Sequence, residues 1–169
     1  KDSNRTPSET IAAIEEALSK ALAKGVPAQD TPFANATAAE TEILRIAEVS
    51  GLIGTGGTYV DNLDPSFDTD GIKTEQLRAP VNGTADNPEG TEGLYKFQVA
   101  VKAGTAGQDE VKKTLTFTVT AKVKTWKQVQ AEAAADTMSS AKSEAAKANA
   151  ITVENVNTLT EAQAKAALL

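Results

Sequence analysis

The fold is decided by two stretches near the middle of the chain, LYKFQVAVK (residues 94–102) and KTLTFTVTAKV (residues 113–123). Apolar residues occupy every second position of each stretch, and most positions between them are Lys, Gln or Thr. Because successive side chains of a β-strand point to opposite faces, this alternation predicts two strands with one buried and one solvated face. The short, glycine-bearing connection over residues 104–110 predicts an antiparallel hairpin. The predicted buried residues are Tyr95, Phe97, Val99 and Val101 in the first strand and Leu115, Phe117, Val119, Ala121 and Val123 in the second.

A helix pattern begins near the start of the chain. Thr6 is a suitable N-cap, Pro7 fits the first helical position, and Glu9 completes a capping box. From Ile11 to Leu22 apolar residues recur at spacings of three and four, and Gly25 follows as the expected end of the helix. The pattern predicts an amphipathic helix with one buried stripe.

A second capping box, Thr37 to Glu40, predicts another helix that ends at Ser50-Gly51. Its predicted inner residues are Ile43, Leu44, Ala47 and Val49. The polar loop over residues 26–36 joins the two helices. We therefore expect an α+β fold in which two N-terminal helices pack on one face of a small antiparallel sheet, because the apolar side of the hairpin needs a cover.

The segment between the helices and the hairpin has a less regular pattern. Gly54 to Gly57 is a chain breaker, residues 58–63 could form a short strand, and residues 64–71 have the composition of a long turn. Residues 72–77 are predicted to form a further strand.

After Thr125 the sequence returns to a helical pattern. The Ala-rich segment Trp126–Lys147 is predicted to be a helix, and Thr160 is predicted to cap another. The inner face of the first is expected to contain Trp126, Val129, Ala133, Ala141 and Ala145. Because this region matches the leading helices in outline, we expect two domains, a surface module over residues 1–124 and a helical segment over 125–169 that begins a second repeat and is truncated.

The amino-acid composition excludes most kinds of catalytic site. The 169 residues include no Cys and no His and carry a formal net charge of −6. Hydrolysis by a Ser-His-Asp triad and zinc sites built on His or Cys are therefore excluded within this chain. A negative net charge without a dense Lys/Arg face argues against nucleic-acid binding, and no apolar run is long enough to insert into a membrane. We expect a protein that is not an enzyme.

One acidic cluster is a candidate Ca²⁺ site. Asp61, Asp64, Asp68 and Asp70 lie in the predicted turn region, and Ca²⁺ is bound by oxygen ligands from such loops. The spacing does not match an EF-hand, because Leu77 stands where its bidentate Glu belongs. The alternative is that these side chains bond to their own backbone and stabilise the turn. No other cofactor is predicted.

Two aromatic residues are candidates for ligand binding. Trp126 and Tyr59 lie at element boundaries rather than on the predicted buried strand faces, so they could contact a carbohydrate. The alternative is that they pack against the ends of the core. The row Thr114, Thr116, Thr118 and Thr120 is interpreted as ordinary β-propensity on a solvated face.

A longer pattern surrounds the hairpin. The segment GTADNPEGTEG (residues 83–93) precedes the strand with Tyr95 and Phe97, and Gly104 and the Thr-alternating strand follow. This order resembles the tandem helix-plus-hairpin modules of large secreted, S-layer-like surface proteins of Gram-positive bacteria of the Firmicutes type. The chain departs from that pattern at Arg78-Ala79-Pro80, directly after the strand predicted over residues 72–77.

The resemblance implies a secreted structural module of the bacterial cell surface and cell wall, with no catalytic residues. Its expected partners are other repeats of the same chain, and adhesion to a host protein or glycan would extend that role. The alternative is a carbohydrate-binding or Ca²⁺-stabilised adhesin domain.

Overall fold

The structure of the protein, a computed structural model, describes residues 5–53 and 66–158. Its internal contacts divide the chain into two units, Lys1–Trp126 and Lys127–Leu169. The elements of the described residues are α1 (Pro7–Leu22), α2 (Ala36–Ala47), α3 (Val49–Ile53), β1 (Ser66–Arg78), β2 (Gly93–Ala103), β3 (Val111–Ala121) and α4 (Trp126–Thr158). The α+β fold class predicted from the sequence is confirmed.

The strands form one antiparallel sheet in the order β1-β2-β3. Strands β2 and β3 pair without interruption from Gly93 opposite Ala121 to Ala103 opposite Val111. The predicted hairpin is therefore confirmed, and β2 is the central strand.

Strand β1 is longer than the sequence pattern indicated. Ser66 and Phe67 already pair with β2, and the register then shifts before pairing resumes at Ile72. The prediction of a turn over residues 64–71 is thus wrong for residues 66–70. The turn-forming composition is accommodated in the register shift, where Gly71 adopts a φ of 57°.

One apolar cluster joins the helices to the sheet. Helix α1 contacts β2 and β3, and helix α2 contacts β1 and β2. Tyr95, Phe97, Val99 and Val101 of β2 are completely buried in this cluster, as the alternation predicted. Phe117 is only partly buried because β3 is an edge strand, and Val123 is only partly buried because β3 ends before it. The helical members of the cluster are Ile11, Ile14, Leu18, Leu22, Ala39, Ile43, Ala47 and Val49.

The two long helices of this unit begin with side-chain caps. The Glu9 amide donates to Thr6 Oγ1 at 3.2 Å, which confirms the predicted N-cap of α1. Helix α2 is capped by Asn35, whose Oδ1 accepts from the Ala38 amide at 3.0 Å. The prediction of Thr37 as cap is wrong, because Asn35, two residues earlier, is extended and its side chain already accepts from the Ala38 amide. Helix α2 ends before the left-handed Glu48, and not at Ser50-Gly51.

Helix α4 has no buried stripe over the part whose side chains are described. Trp126 and Val129 are partly exposed, and every residue from Gln130 to Ala146 is exposed. The predicted inner face is therefore wrong at Ala133, Ala141 and Ala145. Alanine presents so little apolar area that such a stripe gains little free energy from burial.

Candidate functional site: the junction loop

The loop over residues 81–91, hereafter the junction loop, connects β1 to β2 and contains most of the glycine-rich segment noted above. Val81 and Thr91 close its base by exchanging two backbone hydrogen bonds of 2.9 and 2.8 Å. Within it, the amides of Thr84 and Gly90 both donate to the carbonyl of Asn87. The Asn87 amide donates to Thr84 Oγ1 at 3.1 Å, and its side chain donates to Thr91 Oγ1 at 3.3 Å. Local hydrogen bonds therefore fix the shape of the loop.

The junction loop also binds the segment through which the chain leaves the sheet, residues 122–126, hereafter the exit segment. The Gly83 amide donates to the carbonyl of Lys124 at 2.7 Å, and the Lys124 amide donates to Asn82 Oδ1 at 3.0 Å. The Trp126 amide donates to the carbonyl of Pro88 at 2.7 Å. Trp126 is the first residue of α4, and the first amides of a helix have no partner within it. The loop thus caps the start of α4 with backbone atoms.

Two positions of the junction loop must be glycine, because backbone atoms of other residues lie too close to leave room for a Cβ. A Cβ at Gly83 would lie 2.2 Å from the Trp126 nitrogen and 2.3 Å from the Pro88 oxygen. Gly90 has a φ of 73°, and a Cβ there would lie 2.5 Å from the Val81 oxygen. Neither position can accept a side chain without moving the backbone, so part of the glycine-rich pattern is explained by packing.

An ion pair connects the exit segment to the loop between α1 and α2. Lys124 is largely buried, and its Nζ lies 2.6 Å from Oδ1 of the exposed Asp30. The hydrogen bond from Lys124, and secondarily its charge, lower the pKa of Asp30 below its usual value of 3.8. Asn82 Nδ2 also donates to the Asp30 carbonyl at 3.5 Å. Asp30, Asn82 and Lys124 therefore meet at one corner of the fold.

A second contact from the same α1–α2 loop supports the end of β3. The Val26 amide donates to the Thr120 carbonyl at 2.8 Å, and the Lys122 amide donates to the Val26 carbonyl at 2.9 Å. Val26 is completely buried. The exit segment is therefore held by the α1–α2 loop on one side and by the junction loop on the other.

Sequence reasoning missed Asp30, Asn82 and Lys124. The available signal was Lys124 itself, a charged residue that directly follows an apolar-alternating strand. Its partners are 42 and 94 residues away in sequence. A single sequence does not show which residues so far apart are in contact.

The four candidate Ca²⁺ residues lie outside the part of the chain whose side chains are described. Asp61 and Asp64 lie outside the described residues, and Asp68 and Asp70 belong to β1 without a description of their side chains. Among the residues that the structure does describe, no group of three or more acidic side chains is arranged to hold a metal ion. The Ca²⁺ site stays a prediction.

Of the two aromatic candidates, Trp126 alone lies among the described residues. Trp126 is partly exposed at the start of α4, and Tyr59 falls in the range 54–65, outside the described residues. Tyr95 and Phe97 have no exposed surface. Tyr95 donates its hydroxyl to Gln76 Oε1 at 3.0 Å, and burial raises the pKa of that hydroxyl. These two rings serve the core, and carbohydrate binding by Trp126 stays a prediction.

Comparison with protein families, curated proteins and solved structures finds no significant match for this chain. Within residues 5–53 and 66–158, none of the helices combines the length and the apolar character needed to cross a bilayer.

Proposed function

We propose that this chain is a non-catalytic structural module of a secreted bacterial surface protein, whose role is to space or display neighbouring modules. The proposal rests on one observation, which is that the polar groups of the junction loop form hydrogen bonds within the chain. The amides of Gly83, Thr84, Asn87 and Gly90 and the side chains of Asn82 and Asn87 all bond to the chain itself. A loop built to recognise a ligand would present such groups outward.

The chemistry of the chain supports the same proposal. Without His or Cys, a hydrolase would have to take its general base from Asp, Glu, Lys or Tyr, and a zinc enzyme would have to bind its metal without the two commonest zinc ligands. The strongest pKa perturbations in a protein commonly mark a catalytic site. Here the lowered pKa values of Asp30 and Glu42 come from ordinary ion pairs with Lys124 and Arg45, and both carboxylates lie at the surface.

A fixed exit segment suits a protein built from successive modules. Each repeat in such an array contacts its neighbours only, so the position at which the chain leaves a module affects the spacing of the next one. The bonds to Gly83, Asn82 and Pro88 hold residues 124–126 against the sheet unit. Other repeats of the same chain are therefore the proposed partners.

Surface exposure on the producing bacterium tests the proposal. Antibodies raised against the purified chain should label intact cells, and brief trypsin treatment of intact cells should release peptides of the chain while a cytosolic marker protein stays inside. Labelling that appears only after the cells are broken would contradict the proposed location. A catalytic turnover measured for the purified chain, and abolished by an active-site substitution, would contradict the proposed non-catalytic role.

A further inference from the structure

Asn82 and Gly83 form the one Asn-Gly pair of the sequence. Asparagine is a chemically labile residue, because its side-chain amide can be lost as ammonia. The loss is fastest when glycine follows, since glycine has no side chain to obstruct the ring that forms. Every other asparagine of the chain is followed by a larger residue. We therefore expect spontaneous covalent change first at Asn82.

The reaction at this pair needs only water. The Gly83 nitrogen gives up its proton to solvent and attacks Cγ of Asn82, the Cγ–Nδ2 bond breaks, and Nδ2 leaves as ammonia. Water then opens the resulting succinimide at one of its two carbonyls. Opening at Cγ gives aspartate. Opening at the main-chain carbonyl gives isoaspartate, in which the backbone runs through Cγ and is one carbon longer.

In the folded chain, the backbone of Lys124 holds both reacting groups. The Gly83 amide, which must lose its proton, donates it to the Lys124 carbonyl at 2.7 Å. The Asn82 side chain accepts from the Lys124 amide at 3.0 Å through Oδ1, and its Nδ2 donates to the Asp30 carbonyl at 3.5 Å. Attack by the Gly83 nitrogen therefore requires the junction loop to separate from the exit segment.

The packing around Gly83 also restricts its movement. Gly83 is buried, and a Cβ there would lie 2.2 Å from the Trp126 nitrogen and 2.3 Å from the Pro88 oxygen. This packing requires glycine at position 83, and the bond to Lys124 uses asparagine at position 82. The contacts that need this reactive pair are thus the same contacts that restrain it.

We infer that Asn82–Gly83 is a latent deamidation site, which the contact between the junction loop and the exit segment keeps unreactive and which reacts when that contact opens. The rate in the folded protein then follows the fraction of time for which the contact is open. The site goes beyond the spacing role proposed above. An unreactive Asn82 would leave that role standing.

Reaction in the open state prevents the contact from closing again. In the isoaspartate product the backbone between residues 82 and 83 is one carbon longer, so Gly83 cannot return to its place between Trp126 and Pro88 without displacing them. The aspartate product lacks the Nδ2 donor to the Asp30 carbonyl. Deamidation would therefore convert a transient release of the exit segment into a permanent one.

Peptide mapping by mass spectrometry of the whole chain tests the site. After incubation at mildly alkaline pH, Asn82 should be converted to aspartate and isoaspartate in urea, and at least about tenfold more slowly in buffer. Asn87 is the internal control on the same tryptic peptide, residues 79–96, because the following Pro88 has no amide proton to lose. Equal rates for Asn82 in buffer and urea, or a rate in urea no higher than that of Asn87, would overturn the inference.

A substitution outside the reacting pair tests the protection by the junction loop. A Cβ at Gly90 would lie 2.5 Å from the Val81 oxygen and 2.9 Å from the Gly83 nitrogen, so Gly90→Ala displaces the loop. Asn82 should then react at least about threefold faster in buffer, with circular dichroism showing a folded chain, and Gly51→Ala should react like the wild type. An unchanged rate in folded Gly90→Ala would count against the protection. If this variant does not fold, the wild-type rates in buffer and urea still decide.

Trypsin digestion tests the permanent release. Lys124 is largely buried in the unreacted chain. Chains that have formed isoaspartate in urea and are returned to buffer should be cut after Lys124 at least about tenfold faster than chains exposed to urea too briefly to react. Equal resistance of the two samples would show that the contact closes again after the reaction and would overturn this part of the inference.

Discussion

At the scale of single residues, the junction loop depends most on Gly83, where the backbone of three segments meets. Its amide bonds to Lys124, and its missing side chain leaves room for Trp126 and Pro88. The sequence shows that residue 83 is glycine but does not show which residues lie next to it in the fold, because Gly83 and Trp126 are far apart along the chain.

Replacing Gly83 by Ala should therefore lower the free energy of unfolding by about 2–4 kcal/mol, since a Cβ at 2.2 Å from the Trp126 nitrogen forces the backbone apart. Urea unfolding followed by circular dichroism measures the change. Gly51→Ala is the matched control: the nearest atom to its Cβ is 3.9 Å away and the residue lies in α3, so stability should not fall. Equal losses in the two variants would argue against the packing described for the junction loop.

The Asp30–Lys124 pair should give a pH dependence with a definite sign. The pKa of Asp30 is lowered in the folded state, so its carboxylate adds stability above the unfolded value near 3.8. That stability is lost as the pH falls through the lowered folded value. The melting temperature of wild type should exceed that of Asp30→Asn at neutral pH, and the difference should shrink below about pH 4. A difference that stays constant down to pH 2 would contradict the assignment of the pair.

At the scale of secondary structure elements, alternation and helical spacing predicted β2, β3 and α1 well because each of them buries one face in the same core. The prediction failed where two signals competed locally. Asn35 and Thr37 are both good N-caps, and only the structure shows which one begins α2. Strand β1 was shortened in the prediction because turn-forming residues lie within its register shift. The contacts among Asp30, Asn82 and Lys124 could not be predicted, since they depend on how loops that are distant in sequence are placed in the fold.

The N-cap of α2 can be decided by two alanine substitutions. Asn35→Ala removes the acceptor of the Ala38 amide and should cost about 1 kcal/mol of stability. Thr37→Ala should cost little, because Thr37 lies inside the helix, where Ala is preferred. Thermal unfolding of the two variants provides the comparison. A larger loss in Thr37→Ala would restore the capping box that the sequence suggested.

At the scale of the whole molecule, the chain divides into two units, and the first of them, residues 1–126, contains the buried apolar cluster of the described residues. Among residues whose burial is described, every member of this cluster lies between Ile11 and Ala121. A chain ending at residue 130 should therefore unfold cooperatively, with a melting temperature within about 5 °C of the full chain. Loss of the cooperative transition in the shortened chain, measured by calorimetry, would mean that the helical segment is needed for folding.

The central claim is that the junction loop holds the exit of the chain as part of the folded unit. Amide hydrogen exchange followed by NMR measures this directly, because a hydrogen-bonded amide exchanges only when the structure around it opens. The amides of Gly83 and Trp126 should exchange nearly as slowly as that of Tyr95 in β2. The amide of Gly107, in the hairpin loop, should exchange rapidly. Rates for Gly83 and Trp126 as fast as that of Gly107 would contradict the account.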